Sequence, residues 1–160
     1  MRLHEPDQYQ AGVIQRFERL HAGLVQAFGP LRLEHVGSSA VPGAVSKGDL
    51  DACLIVPPMQ LAGWVSRLEA VGYRVKADTL RTPELCMLEM HGPHDAGEHA
   101  VQLIAEGSSF EDFLRFRDLL RADAALVRAY NGVKRDAAHL DDEGYRAAKA
   151  HFIEAVLAGR

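Results

Sequence analysis

Two aspartates, Asp49 and Asp51, flank a single leucine at the entrance to the apolar run Ala52-Cys53-Leu54-Ile55-Val56. In a strand, side chains two residues apart share a face, so this spacing sets the two carboxylates side by side. Such a pair suits Mg²⁺ or Mn²⁺, hard cations that take one or two carboxylates and complete their shell with water and the oxygens of a substrate phosphate. Upstream, Leu33-Glu34-His35-Val36 runs into the turn Gly37-Ser38-Ser39. Glycine lets backbone N–H groups approach phosphate oxygens closely, and the hydroxyl of Ser38 or Ser39 adds a donor. Lys47 supplies a point charge within reach of the same phosphates. Metal and turn together would grip one polyphosphate.

The surrounding chain supplies the elements that hold these residues in place. Asp7-x-x-Gln10 reads as a capping box, and Val13, Ile14, Phe17, Leu20, Leu24, Val25 and Phe28 recur at helical steps until Gly29-Pro30 stops them. Residues 31–36 form the first strand and residues 51–56 the second. Pro57-Pro58 breaks the run, and Leu61, Trp64, Val65, Leu68 and Val71 define a second helix ending at Gly72, with Trp64 in the core. Strands follow at 85–90 and 101–104. Between them, residues 91–99 hold three histidines and two acids among Gly and Pro, a solvated hairpin loop rather than a metal site. His99 is the exception, because it adjoins a strand. The last third is helical: Ser108-x-x-Glu111 reads as a capping box, Asp123 caps the next helix, and a third helix follows Asp141-Asp142.

Bulk properties narrow the function classes. A chain of 160 residues with 48% hydrophobic and 25% charged residues fits one globular domain, 1–160. A formal net charge of −4 argues against a general nucleic-acid surface, which needs a basic excess. No apolar run is long enough to span a bilayer and the first residues lack a signal-peptide core, which predicts a cytoplasmic protein without a membrane partner. Cys53 and Cys86 both sit in apolar segments and read as buried, reduced thiols.

The Gly-Ser turn followed by Asp-x-Asp, with the first aspartate at 49 and the first glycine at 37, resembles the signature of the nucleotidyltransferase superfamily. More closely, Glu34-His35-Val36-Gly37-Ser38-Ser39-Ala40-Val41-Pro42-Gly43 resembles the GrpB family, whose members read Glu-His-(Ile/Val)-Gly-Ser-(Thr/Ser)-(Ser/Ala)-Val-Pro-Gly. Phe116-Arg117-Asp118-Leu119-Leu120-Arg121, Tyr130-x-x-x-Lys134 and Tyr145-x-x-x-Lys149 extend the likeness towards the C-terminus. The chain departs from the family in two ways. Gly48 stands where a proline is usual and Asp49 where an aliphatic residue is expected, so Asp51 carries the family's acid and Asp49 restores the superfamily's pair. The family's His-x-His-Val segment is also altered here, with His99 and Gln102 in its neighbourhood.

The resemblance implies an α/β (α+β) fold, with a small mixed sheet, flanking helices and a helical C-terminal tail. It implies a metal at Asp49 and Asp51, with Glu89 or His99 as third ligand or base. Phosphates would lie against Gly37, Ser38, Ser39 and Lys47, with cations such as Arg117 and Arg121 reaching them from the tail. Two functions fit. One is metal-dependent transfer of a nucleotidyl group from a nucleoside triphosphate to an acceptor not identified by the sequence; the other is a non-catalytic nucleotide-binding or folding-assistance domain. Each residue also has a plainer reading: Glu89 as a paired strand glutamate, the helix cations as partners of Asp118 and Asp123, and Asp49 as half of a structural ion pair.

Overall fold

The computed structural model of the protein describes residues 1–159. The first helix, α1 (Pro6–Phe28), starts two residues earlier than expected. Pro6 occupies its first turn, where a fixed φ and a missing N–H cost nothing, and the Gln8 side chain accepts from the Glu5 backbone N–H at 3.0 Å. Gln10 is thereby released from capping. Its amide donates to the carbonyls of Ser39 (3.3 Å) and Val41 (2.6 Å) and ties α1 to the glycine-serine turn.

Five strands make one mixed sheet: β1 (Arg32–Val36), β2 (Asp51–Val56), β3 (Arg74–Val75), β4 (Leu85–Met90) and β5 (His99–Ala105). Their order is β1-β2-β5-β4-β3, with β2 and β5 parallel and every other pairing antiparallel. The parallel pair requires a crossover, which includes α2 (Leu61–Ala70). Strand β5 begins at His99, so this histidine lies within the sheet. The two-residue β3 is too short to leave a periodic signal in the sequence.

Side-chain alternation gives the sheet two different faces. Leu33, Leu54, Leu88 and Leu103 pack with Val13, Leu20 and Leu24 of α1 and Trp64 and Leu68 of α2. Val36, Cys53, Ile55, Leu85 and Ile104 turn the other way, onto Leu114 of α3 (Asp112–Ala122). Beyond α3 come α4 (Ala124–Ala137) and α5 (Asp142–Ala158), and Val41, Ala44, Leu120, Val127 and Tyr130 form a smaller core between these helices and the turn after β1. Asp123 accepts from the N–H groups of Ala125 and Leu126, and Asp141 from that of Gly144, so both caps form as expected. The box at Ser108 does not. Glu111 accepts instead from Gly107 N–H at 2.7 Å, because residues Ser109–Glu111 wind as a 3₁₀ turn, and the buried Ser108 hydroxyl has no partner among the described residues. Cys53 and Cys86 are buried and free.

Candidate functional site

The register of the sheet places Val36, Asp51, Ala100 and Glu89 in one row across β1, β2, β5 and β4, all on the face that carries α3. Asp51 therefore stands beside the end of β1, where the chain turns at Gly37. That glycine has φ +77°, and a Cβ on it would lie 3.0 Å from Asp51 Oδ2. Only glycine gives the turn this conformation without strain while leaving the carboxylate its place. A 3₁₀ turn follows at Ser38–Ala40, closed by Ala40 N–H donating to Gly37 O and Val41 N–H donating to Ser38 O, both at 3.1 Å.

The turn and the aspartates border a cleft of about 510 Å³. Its lining combines polar residues, among them Gly37, Ser38, Lys47, Asp49, Asp51 and Lys149, with the apolar Phe110, Phe113, Phe116, Ile153 and Leu157 from α3, α5 and the turn preceding α3. The aspartates also border a smaller cavity of about 250 Å³ on their other side, together with Lys76, Glu89, His91 and His99.

Asp51 is drawn up from 3.8 to about 6, first by burial and then by the neighbouring charge of Asp49, against the opposing pull of Lys149 and Lys47. No described group donates a hydrogen bond to its carboxylate. Asp49 lies just before β2 and is exposed, 3.6 Å from Lys47 Nζ. The pair is thus open to a ligand and is not locked against a buried arginine. Two carboxylates form a hard oxygen set suited to a Mg²⁺ that keeps several waters or phosphate oxygens. Among the described residues, no group of three or more His, Cys, Asp and Glu is placed to hold a metal.

The candidate third groups are engaged in other contacts. Glu89 shares the face of Asp51 but stands two strands away, about 10 Å at the usual strand spacing. Lys76 binds it at 2.6 Å and His91 also contacts it; these hydrogen bonds, the Lys76 bond foremost, hold its carboxyl below the ordinary range. The paired-strand reading of Glu89 describes its surroundings. His99 belongs to the opposite face. Its Nδ1 contacts Gly97 O and its Nε2 the Tyr73 hydroxyl, both at 2.7 Å, so Nδ1–H donates and Tyr73 donates to Nε2. Burial pushes it down to about 4, and with both nitrogens taken it has no free position for a base.

The expected phosphate ligands divide in the same way. Ser38 and Lys47 border the cleft, whereas Ser39 is buried behind the turn with its hydroxyl 2.9 Å from His35 Nε2. His35 stacks on Phe17, and burial lowers it to about 4, so it is neutral there. Arg117 borders the cleft, but its guanidinium is spent on Glu34 (2.7 Å), Asp118 (2.9 Å) and His35 O (3.0 Å). Arg121 donates to Ala40 O at 2.9 Å and braces the turn. The two lysines of the tail behave differently. Lys134 is fully buried, its Nζ donating to Ser38 Oγ at 2.9 Å and to Val45 O, with the Tyr130 ring centroid 4.4 Å away. Lys149 lies 5.1 Å from the Tyr145 ring centroid, and burial, followed by the nearby Lys47, lowers its pKa. Among the described residues, neither lysine has a carboxylate in ion-pair contact. The sequence placed all four cations on the same helical tail; only packing separates braced arginines from unneutralised lysines. Asn131 completes the frame by accepting from Val45 N–H and donating to Gly43 O, both at 2.9 Å, which fixes the loop between turn and aspartates.

The small mixed sheet with its flanking helices is similar in fold to solved nucleotidyltransferase structures. The Cid1 poly(U) polymerase, in its MgATP-bound H336N form, matches with a TM-score of 0.55 at 16% identity over 80% of this chain, although the chain spans 42% of that polymerase. Over nearly its whole length the chain also matches conserved protein GrpB from Enterococcus faecalis, with a TM-score of 0.70, 21% identity and coverage of 98% and 99% of the two chains. The GrpB protein family model matches residues 6–159, so the chain belongs to the GrpB family. A UPF0157 protein of Vibrio cholerae is 41% identical over 157 residues, covering 98% of this chain and 82% of the relative. Another, from Deinococcus radiodurans, is 32% identical over 144 residues, covering 89% and 74%. No helix is long and apolar enough to cross a membrane among the described residues.

Proposed function

We propose that this protein binds a nucleoside triphosphate with Mg²⁺ or Mn²⁺ in the 510 Å³ cleft and transfers its nucleotidyl group to an acceptor hydroxyl. The carrying observation is Asp51: a largely buried carboxylate without a protein donor, facing a turn that only glycine can make, on a nucleotidyltransferase fold. The metal, bound at Asp49 and Asp51, would neutralise phosphate charge and acidify the acceptor hydroxyl. Ser38 donates to phosphate oxygens, and Lys47 and Lys149 offset the charge of the triphosphate. The apolar lining of the cleft, with Phe113 at its rim, excludes water around the remainder of the ligand. In the transfer, the acceptor oxygen forms a bond to the α-phosphorus, the bond to the departing pyrophosphate breaks in line, and the acceptor proton passes to water.

A second reading, nucleotide binding without transfer, is favoured by one observation: Glu89 and His99 are both committed to other partners and no third carboxylate joins the pair. Pyrophosphate release across a panel of hydroxyl acceptors, compared between wild type and Asp51→Asn, decides between them. Transfer predicts a fall of orders of magnitude in the variant with the fold retained. Equal release from both proteins, alongside nucleotide binding by the wild type, leaves the binding domain.

A further inference from the structure

Lys134 is among the largest side chains with less than 2% of its surface exposed, and among the described residues no carboxylate pairs with it. A buried ammonium without a counter-ion is a standing cost that a fold does not need, since an apolar residue of the same volume packs there more favourably. Its surroundings show which atoms it controls. As an ammonium, lysine only donates, so in that form the 2.9 Å contact with Ser38 makes the serine oxygen the acceptor, with Val45 O and the Tyr130 face meeting the rest of the charged group. The Ser38 proton is then free to point elsewhere. Two directions lie before it, the Tyr130 hydroxyl and the cleft that both residues border. The other tail lysine, Lys149, and the cleft-edge Lys47 add positive charge, while Asp49 and Asp51 sit across the same space.

We propose that Lys134 is the positioning residue of the phosphate site: from beneath the turn it fixes the Ser38 hydroxyl as a donor into the cleft, and the bound polyphosphate is its missing counter-ion. The inference rests on the phosphate-binding part of the function given above and assigns its anion selectivity to a residue that does not itself border the cleft. Burial lowers the ammonium towards about 7, with Lys149 and Arg135 adding to the effect, and an anion placed over Ser38 restores the charged form. Lys134 thus pairs a cost to the apo protein with a gain on binding.

The test uses inorganic tripolyphosphate with Mg²⁺ as the probe, titrated calorimetrically into the full chain. Wild type binds. Lys134→Met, which keeps the volume and removes the charge, loses about 10- to 100-fold in affinity, the value of one charge-assisted hydrogen bond, while its melting temperature stays level or rises. Ser38→Ala loses a similar factor. The double variant is no weaker than the weaker single one, because both changes break one relay. Lys134→Gln, which keeps a donor for Val45 O, guards against a folding defect in the methionine variant and shows the same loss. A folded Lys134→Met or Lys134→Gln that binds as tightly as wild type overturns the inference and leaves the proposed function standing, as do additive losses in the double variant. Absence of tripolyphosphate binding by wild type overturns both.

Discussion

The two faces of the sheet handle polar groups in opposite ways. Beneath α1 and α2 the core is apolar, and its two buried histidines are held by neutral partners, His99 between Tyr73 and Gly97 and His35 by Ser39. On the α3 side, among the described residues, Asp51 has no donor and Lys134 no carboxylate, and the turn between them holds a glycine at positive φ. A carboxylate at the cleft and an ammonium beneath its turn, each without an ion-pair partner among the described residues, lower stability while leaving room for a ligand to complete both. One face therefore secures the fold, and the other holds unfinished electrostatics that binding can finish.

Substitutions can break or sharpen this contrast. The largest loss of stability belongs to the closed face: Leu54→Ala empties a fully buried position and costs about 2–5 kcal/mol, roughly 10 °C in melting temperature by calorimetry. On the open face the sign reverses. The folded protein holds the Asp51 proton more tightly than the unfolded chain, so wild-type stability falls as pH rises from 3.8 to about 6 and stays reduced above it. Asp51→Asn removes that penalty, at most about 3 kcal/mol, and raises the melting temperature at pH 8 but not below pH 3.8. A melting temperature lowered at pH 8 would place Asp51 among the fold's supports and erase the distinction between the faces.

Arg117 belongs with the bracing groups although it borders the cleft. Arg117→Met strips hydrogen bonds from Glu34, Asp118 and His35 O and costs about 1–3 kcal/mol in chemical denaturation, because the acids it leaves are partly hydrated. The smallest effect is at the surface. The Lys47–Asp49 pair is 3.6 Å long and well exposed, so Lys47→Ala shifts the unfolding free energy by no more than about 1 kcal/mol.

Much of this contrast was legible in the chain. Proline and glycine punctuate the α1 end, the break after β2 and the start of α2, because their backbone limits act locally. The caps at Asp123 and Asp141 were readable for the same reason. Where two local solutions competed, the sequence misled: Glu5 with Gln8 displaced Asp7 with Gln10 once Pro6 took the first turn, and Gly107 claimed Glu111 from Ser108. The site divides along the same line. Gly37, Ser38, Asp49 and Asp51 come together because β1 and β2 are antiparallel neighbours whose register sets Val36, the last residue before the turn, opposite Asp51.

What the sequence by itself determined is this turn-and-aspartate constellation, whose chemistry follows from residue type and spacing, although Asp49 lies just before β2 and not on the strand face expected for it. Only the tertiary structure decided which partners it receives. His99 faces away because one step along β5 reverses the face, Glu89 lies two strands off because β5 intervenes, and Ser39 turns from the cleft to meet His35. Arg117 and Lys134 are both helical cations in sequence. Packing gives one of them carboxylates and leaves the other buried beneath Ser38 without one, because ion pairing between elements depends on where helices dock, which no local pattern encodes.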